Sequence, residues 1–289
     1  MKKERKLNFE LLLSCINQKD FSIIERSRTQ SDVLIVNQYC SIKKEEKLPY
    51  LETQEIGGFF CRKYNVQEKG ISRSRNFAIR NAQADICLLA DDDEEFCSQY
   101  REMILSSFER YPYADILIFR IGNRPKKVRT TFHPVYFPEI LRVSSCQIAF
   151  RRKRVIEKKI VFDEDMGAGT GNGAEEEIKF LLECLKQKLK IFNVPVTIAM
   201  MQENNHSTWF YGYNEVFFEN RGMTTRYLFG TSFALGYGIY YIWTKRELYQ
   251  DDISAKQAWK ALRRGIKQNR LGKKKRKEKR IKRRKRKWE

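Results

Sequence analysis

Residues 84–96 read "ADICLLADDDEEF". Ile86, Cys87, Leu88, Leu89 and Ala90 form a run of strand length that is apolar on both faces, as a strand buried inside a parallel sheet would be. Three aspartates and two glutamates follow at once, so an interior strand ends on charges that repel one another. On either side, short apolar runs alternate with helix-like segments. Strands are predicted over 9–16, 32–37, 57–64, 85–90, 114–122, 144–152 and 190–200, and helices over 20–28, 72–83, 98–111 and 175–188. This alternation predicts an α/β fold with a parallel sheet, in which ligands bind at the carboxyl ends of the strands. The aspartate triplet lies at such an end.

The chain has 289 residues, and 42% of them are hydrophobic, enough to fill a core. Its net charge is +21, unevenly spread: 273–289 hold 13 Lys or Arg against two Glu, leaving +10 on the rest. A negatively charged partner is expected, whether phosphates on a ligand, an anionic membrane or nucleic acid. The seven cysteines include no Cys-x-x-Cys, and several sit in apolar runs, which points to a reducing compartment and away from a disulfide scaffold or zinc site. The opening "MKKERKLNFELLLSC" has a basic start, but Glu10 interrupts an apolar segment too short for an export signal. The longest apolar window, 227–243, contains three glycines and falls short of a membrane span. The expected organisation is a catalytic domain over 1–210, a helical extension over 211–271 and a basic disordered tail over 272–289.

Four groups of residues could carry chemistry. In an extended segment Asp91 and Asp93 point to one side and Asp92 to the other, so two carboxylates could meet Mg²⁺ or Mn²⁺ and, through it, substrate phosphates. The competing reading is a solvated acidic turn. "GISRSRN" (70–76) opens a helix, whose free N–H groups favour anions, and Arg73 and Arg75 add donors suited to phosphate. "GAGTGNGAEEE" (167–177) is a glycine-rich loop delivering Glu175, Glu176 and Glu177 to a helix start, either as charge complementing the helix dipole or as a general base. Of the two histidines, His133 reads as structural and His206 follows a strand among polar residues. A second Asp-x-Asp at Asp163 and Asp165 has no buried strand leading into it and is set aside.

In this order, "VNQ" (36–38), "GISRSRNFAIRNAQADICLLADDDEEF" (70–96) and "GAGTGNGAEEEIKFLLECLKQKLKIFNVP" (167–195) resemble the core of family 2 inverting glycosyltransferases of the GT-A fold, over roughly 9–210. The likeness is to bacterial enzymes of capsular and exopolysaccharide synthesis. It implies a Rossmann-like mixed, mainly parallel sheet and a nucleoside-diphosphate sugar donor, a UDP-sugar, with Mn²⁺ or Mg²⁺ held by Asp91, Asp93 and His206. Asn37, Gln38, Ser72, Arg75, Asn76, Asp91 and Asp92 would line the nucleotide-sugar site, and Glu177 or Glu176 would be the base. The acceptor would be a saccharide or a polyprenyl-diphosphate-linked saccharide. The enzyme would work in the cytoplasm, peripheral on the inner face of the cell membrane, with the basic tail on anionic lipid. The family's Glu-Asp pair is Glu-Glu here, and the first strand lacks the Pro-rich start usual in the wider family. The rival readings are a metal-dependent nucleic-acid-processing enzyme or a basic nucleic-acid-binding protein, for which the tail would be the contact and the glycine-rich loop would have no use.

Overall fold

A computed structural model describes residues 6–39, 49–123, 130–170, 175–202, 212–268 and 271. Its strands are β1 (Phe9–Ile16), β2 (Val33–Gln38), β3 (Tyr50–Ile56), β4 (Phe59–Val66), β5 (Ile86–Ala90), β6 (Glu94–Phe96), β7 (Ile116–Gly122), β8 (His133–Pro134), β9 (Ile148–Arg151) and β10 (Ile191–Met201). The helices are α1 (Ser22–Arg26), α2 (Ile71–Asn81), α3 (Tyr100–Arg110), α4 (Arg152–Glu157), α5 (Glu176–Lys186), α6 (Glu215–Phe229), α7 (Thr231–Thr244) and α8 (Ala255–Gln268). The chain divides into two units, Met1–Asp163 with Glu176–Asn205, and Glu164–Glu175 with His206–Glu289.

In the first unit all ten strands join one mixed sheet in the order β3-β4-β2-β1-β5-β9-β7-β10-β6, with β8 on β10. β4, β2, β1 and β5 run parallel, as do β7 and β10, and β9 runs antiparallel between β5 and β7. The side-chain period of two splits each central strand between two cores. Leu11, Leu13, Val33, Ile35, Ile86 and Leu88 face α1 and α3, with Tyr100, Ile104 and Phe108. Leu12, Leu34, Val36, Cys87 and Leu89 face α2 and α5, with Ile79, Phe180, Leu181 and Cys184. A sheet covered on both faces can be apolar all round, and this is why the strands read as continuous apolar runs. Glu10, which interrupts the first run, is buried because Arg62 and the Gln83 N–H both donate to it.

Two expectations are corrected. The strand expected over 57–64 is a hairpin: Gly57 and Gly58, at φ 60° and 80°, form the turn between β3 and β4. Positive φ at both central positions gives the turn whose twist matches paired strands, and glycine adopts it without steric cost. The strand expected over 144–152 begins only at Ile148, behind a 3₁₀ turn at Ser145–Gln147 capped by Ser144 and Gln147. Its antiparallel run breaks the parallel series beside β5.

In the second unit, α6, α7 and α8 pack around Phe218, Ala234, Tyr241, Tyr249, Ala258 and Leu262. α6 and α8 cross at near backbone contact: a Cβ on Gly222 would lie 2.2 Å from the Leu262 carbonyl oxygen, and one on Gly265 would lie 1.9 Å from that of Glu219. Arg264 pairs outside this crossing with Glu219 at 2.6 Å and Glu215 at 2.8 Å. Among the described residues, no helix is long and apolar enough to cross a membrane.

Candidate active site

Because β1, β2, β4 and β5 are parallel, their carboxyl ends emerge along one edge, where the chain continues into Asn17, Tyr39, Gln67 and Asp91. The edge is braced by buried amides. Asn37 accepts from the Gln18 N–H at 2.8 Å and donates to the Gln18 carbonyl and to Asn65 Oδ1. Gln38 accepts from the N–H of Gly70, at 2.8 Å, and so fixes the residue that opens α2. Asn76 grips the Phe162 backbone with both ends of its amide, at 3.0 and 2.8 Å. Ser72 is fully buried on the same helix. These four residues lie along the expected edge; the amides of Asn37 and Asn76 are engaged at both ends by protein groups, and Gln38 is engaged through its oxygen. The position of Asn37 and Asn76 is that of braces beneath a ligand site, because an amide satisfied at both ends has little left to offer a ligand.

Arg75 joins the two acidic clusters. It projects from α2, is 2% exposed, and donates through Nη2 to both Asp91 oxygens at 2.8 and 3.0 Å and through Nη1 to Glu176 Oε1 at 2.7 Å. The Phe162 ring lies under the guanidinium, 5.6 Å from centroid to Cζ. Burial alone would lower the Arg75 pKa, but Asp91 and Glu176 more than offset that, so the group is held more firmly charged than usual. One fixed fork thereby binds a strand end to a helix start 85 positions further on.

The aspartates do not continue β5. Asp92 and Asp93 form a turn, and Glu94 starts β6 antiparallel to β10, with the Gln202 N–H donating to the Asp93 carbonyl. The expectation that Asp91 and Asp93 share one face of an extended segment is therefore corrected. Asp91 turns inward to Arg75 and also accepts from the Ser145 hydroxyl at 3.2 Å. Asp92 reaches solvent, yet partial burial and the neighbouring Asp91 push its carboxyl above the ordinary range. Glu94 is 1% exposed and accepts from the Asp91 N–H at 2.8 Å; burial first, then Asp91 and Asp93, hold its carboxyl well above the usual value.

The sequence reading missed Glu94, Ser145 and Phe162 as parts of this site. Glu94 was legible in part, since Glu94 and Phe96 alternate with Glu95 on a strand and are both buried. Ser145 and Phe162 carry no local signal; they arrive through the antiparallel β9 region and the loop before α5.

The three glutamates separate. Glu175 holds a positive φ of 75° and pairs with Arg221 at 3.3 Å, while Glu176 is buried against Arg75. Glu177 is half-buried in the first turn of α5, near enough to Arg75 for its charge to act there. His206 lies outside the described residues. His133 is engaged by Glu139 at 2.8 Å and by the Thr131 carbonyl. Asp163, in the Asp-x-Asp that was set aside, is buried against Lys179.

Among the described residues no three His, Cys, Asp or Glu side chains cluster as a ready-made metal site. With Asp91 committed to Arg75, the donor set suits a hard cation that takes one carboxylate from the protein and further oxygens from substrate phosphates.

The Glycosyl transferase family 2 profile matches residues 10–170. No curated protein matches the chain. Among solved structures, residues 1–349 of S. aureus TarS are similar at TM-score 0.57 and 13% identity, over 90% of this chain and 81% of that one. The same TarS segment in complex with UDP-GlcNAc gives 0.55 and 13%, over 90% and 82%, and in complex with UDP 0.54 and 13%, over 87% and 77%.

Proposed function

We propose that this chain, which belongs to glycosyl transferase family 2, transfers a sugar with inversion from a UDP-sugar to a saccharide or polyprenyl-diphosphate-linked acceptor in cell-surface polysaccharide synthesis. The observation that carries the reading is the Asp91–Arg75–Glu176 chain, which unites an acidic strand end and an acidic helix start at the ligand edge of the sheet. The UDP and UDP-GlcNAc complexes of TarS, which has the same fold, support a uridine diphosphate donor.

Asp93 would hold Mn²⁺ or Mg²⁺ with the donor's phosphates, and His206 is the further ligand implied by the family resemblance. When bound, the cation supplies stabilisation of the negative charge that develops on the departing diphosphate. Arg75 sets the position of Asp91 and Glu176 and does not itself meet the sugar. Glu177 takes the acceptor hydroxyl proton as that oxygen bonds to the anomeric carbon, and the bond from that carbon to the diphosphate oxygen breaks. One displacement inverts the centre and leaves no sugar on the enzyme. Glu177 is taken as the base on the family resemblance, from its place in the first turn of α5.

The test is the pair Glu177→Gln and Glu176→Gln. Glu177→Gln should retain UDP binding and lose transfer by about 10²-fold or more. If Glu176→Gln alone removes transfer while Glu177→Gln keeps it, the base assignment is wrong. The basic tail would dock the enzyme on anionic lipid, so removal of 273–289 should weaken its binding to anionic vesicles and spare turnover of a soluble acceptor.

A further inference from the structure

α7 carries no charged residue, and its apolar side chains point in two directions. Ala234, Gly238, Tyr241 and Ile242 face the core of the second unit. Phe233, Leu235, Ile239, Tyr240 and Trp243 face solvent; Ile239 is 52%, Tyr240 54% and Trp243 79% exposed. Their spacing places them on one stripe of the helix. Globular proteins rarely expose such a stripe unless something covers it. α8 shows the ordinary arrangement, with Ala258, Ala261, Leu262 and Ile266 inside and Lys256, Lys260, Arg263 and Lys267 outside.

We infer that the exposed face of α7 is a membrane-docking surface that seats in the interfacial layer of an anionic bilayer. Length excludes a span: at about 1.5 Å per residue its 14 residues reach roughly 21 Å, short of an apolar layer of about 30 Å. Chemistry favours the interface, where tryptophan and tyrosine rings sit at headgroup level. Charge selects the partner. Lys245 and Arg246 follow α7 directly, α8 presents its lysines and arginine, and the last 17 residues hold 13 Lys or Arg against two Glu. An anionic lipid surface complements these charges, whereas a second copy would bring +21 against +21. The surface adds an apolar contact to the tail docking proposed above. Because vesicle binding is read without sugar nucleotide, its failure and failure of the transferase reading are separate results.

The experiment is flotation of the full chain with vesicles of phosphatidylcholine alone or mixed with phosphatidylglycerol, at low and high salt. Three proteins are compared: the wild type, Trp243→Ser, and Ile239→Ser with Trp243→Ser. Serine adds no charge, so electrostatic attraction is unchanged, and circular dichroism checks that the helices persist. The wild type should float with the mixed vesicles, and each substitution should weaken binding about tenfold, the share of a side chain that is largely buried in the bound state. High salt should leave a residual binding in the wild type that the double variant lacks. Equal flotation of all three proteins would overturn the inference. So would a wild type that ignores lipid but sediments as a dimer that Trp243→Ser dissociates, for the face would then belong to a second copy.

Discussion

The sheet unit and helices α7 and α8 of the helical unit handle charge and apolar surface in opposite ways. In the sheet unit, charged and amide groups are drawn inside and tied in pairs: Glu10 to Arg62, Asn37 to Gln18 and Asn65, and Arg75 to Asp91 and Glu176. In the helical unit the ionic groups of α8 lie outside, and α7 turns an apolar stripe to solvent. Buried polar groups are costly unless partnered, so a cluster of them at one sheet edge marks a place where geometry is held for a ligand. An exposed apolar stripe is costly in the other sense and marks a place that waits for a surface.

Four substitutions test this contrast. The largest effect is expected at Arg75. Arg75→Met leaves the buried Glu176 and half-buried Asp91 without their common cation, and should cost about 3 kcal/mol in urea unfolding together with nearly all transfer. Wild-type stability in that variant would mean the two acidic clusters are not held by the guanidinium. Next is Gly265→Ala in the helical unit. Its methyl would fall 1.9 Å from the Glu219 carbonyl oxygen, and forcing α6 from α8 should cost about 1–3 kcal/mol, read as a lower urea midpoint. Helices that tolerate it must cross less closely than described.

A smaller effect is expected at Glu94, measured with chelator present. Its folded pKa is raised, so above the ordinary carboxylate range the folded state binds a proton that the unfolded state has lost. Stability from this group is complete below that range and falls as pH climbs through the raised value. Glu94→Gln keeps an oxygen for the Asp91 N–H and removes the titration, so it should flatten the fall in thermal midpoint from pH 5 to 8. An unchanged slope would show Glu94 to be ionised without penalty. The smallest effect is on α7, where a methyl on Gly236 meets nothing within 4 Å; Gly236→Ala should stabilise by about 0.4–1 kcal/mol. A loss there would mean that α7 packs differently.

Much of the sheet was legible because its strands are buried on both faces, and five apolar residues followed by Asp91 can hardly be anything else. The turn at Gly57 and Gly58 was misread because β3 is an exposed polar edge, "YLETQEI", with little of the strand pattern that marks its neighbours. The residues of the site were named more fully than their work was. Arg75, Asp91 and Glu176 were each picked out, but local sequence does not say that one guanidinium binds the other two, since those contacts span 16 and 101 positions and are made by the fold. For the same reason Asn37 and Asn76 read as ligand contacts, although each amide is engaged at both ends by the protein's own groups. The inverted face of α7 was invisible because composition shows only that the helix is apolar, not which side is covered.

The measurement closest to the central claim is a thermal-shift titration with UDP, with and without Mn²⁺, on the wild type and on Asp93→Ala. A ligand that binds the folded state raises the midpoint by an amount that grows as RT ln(1 + [L]/Kd). The expected result is a Mn²⁺-dependent rise in the wild type that Asp93→Ala loses while circular dichroism shows its fold retained. A rise that is indifferent to Mn²⁺ and to Asp93, or no rise with any nucleoside diphosphate, would contradict the account.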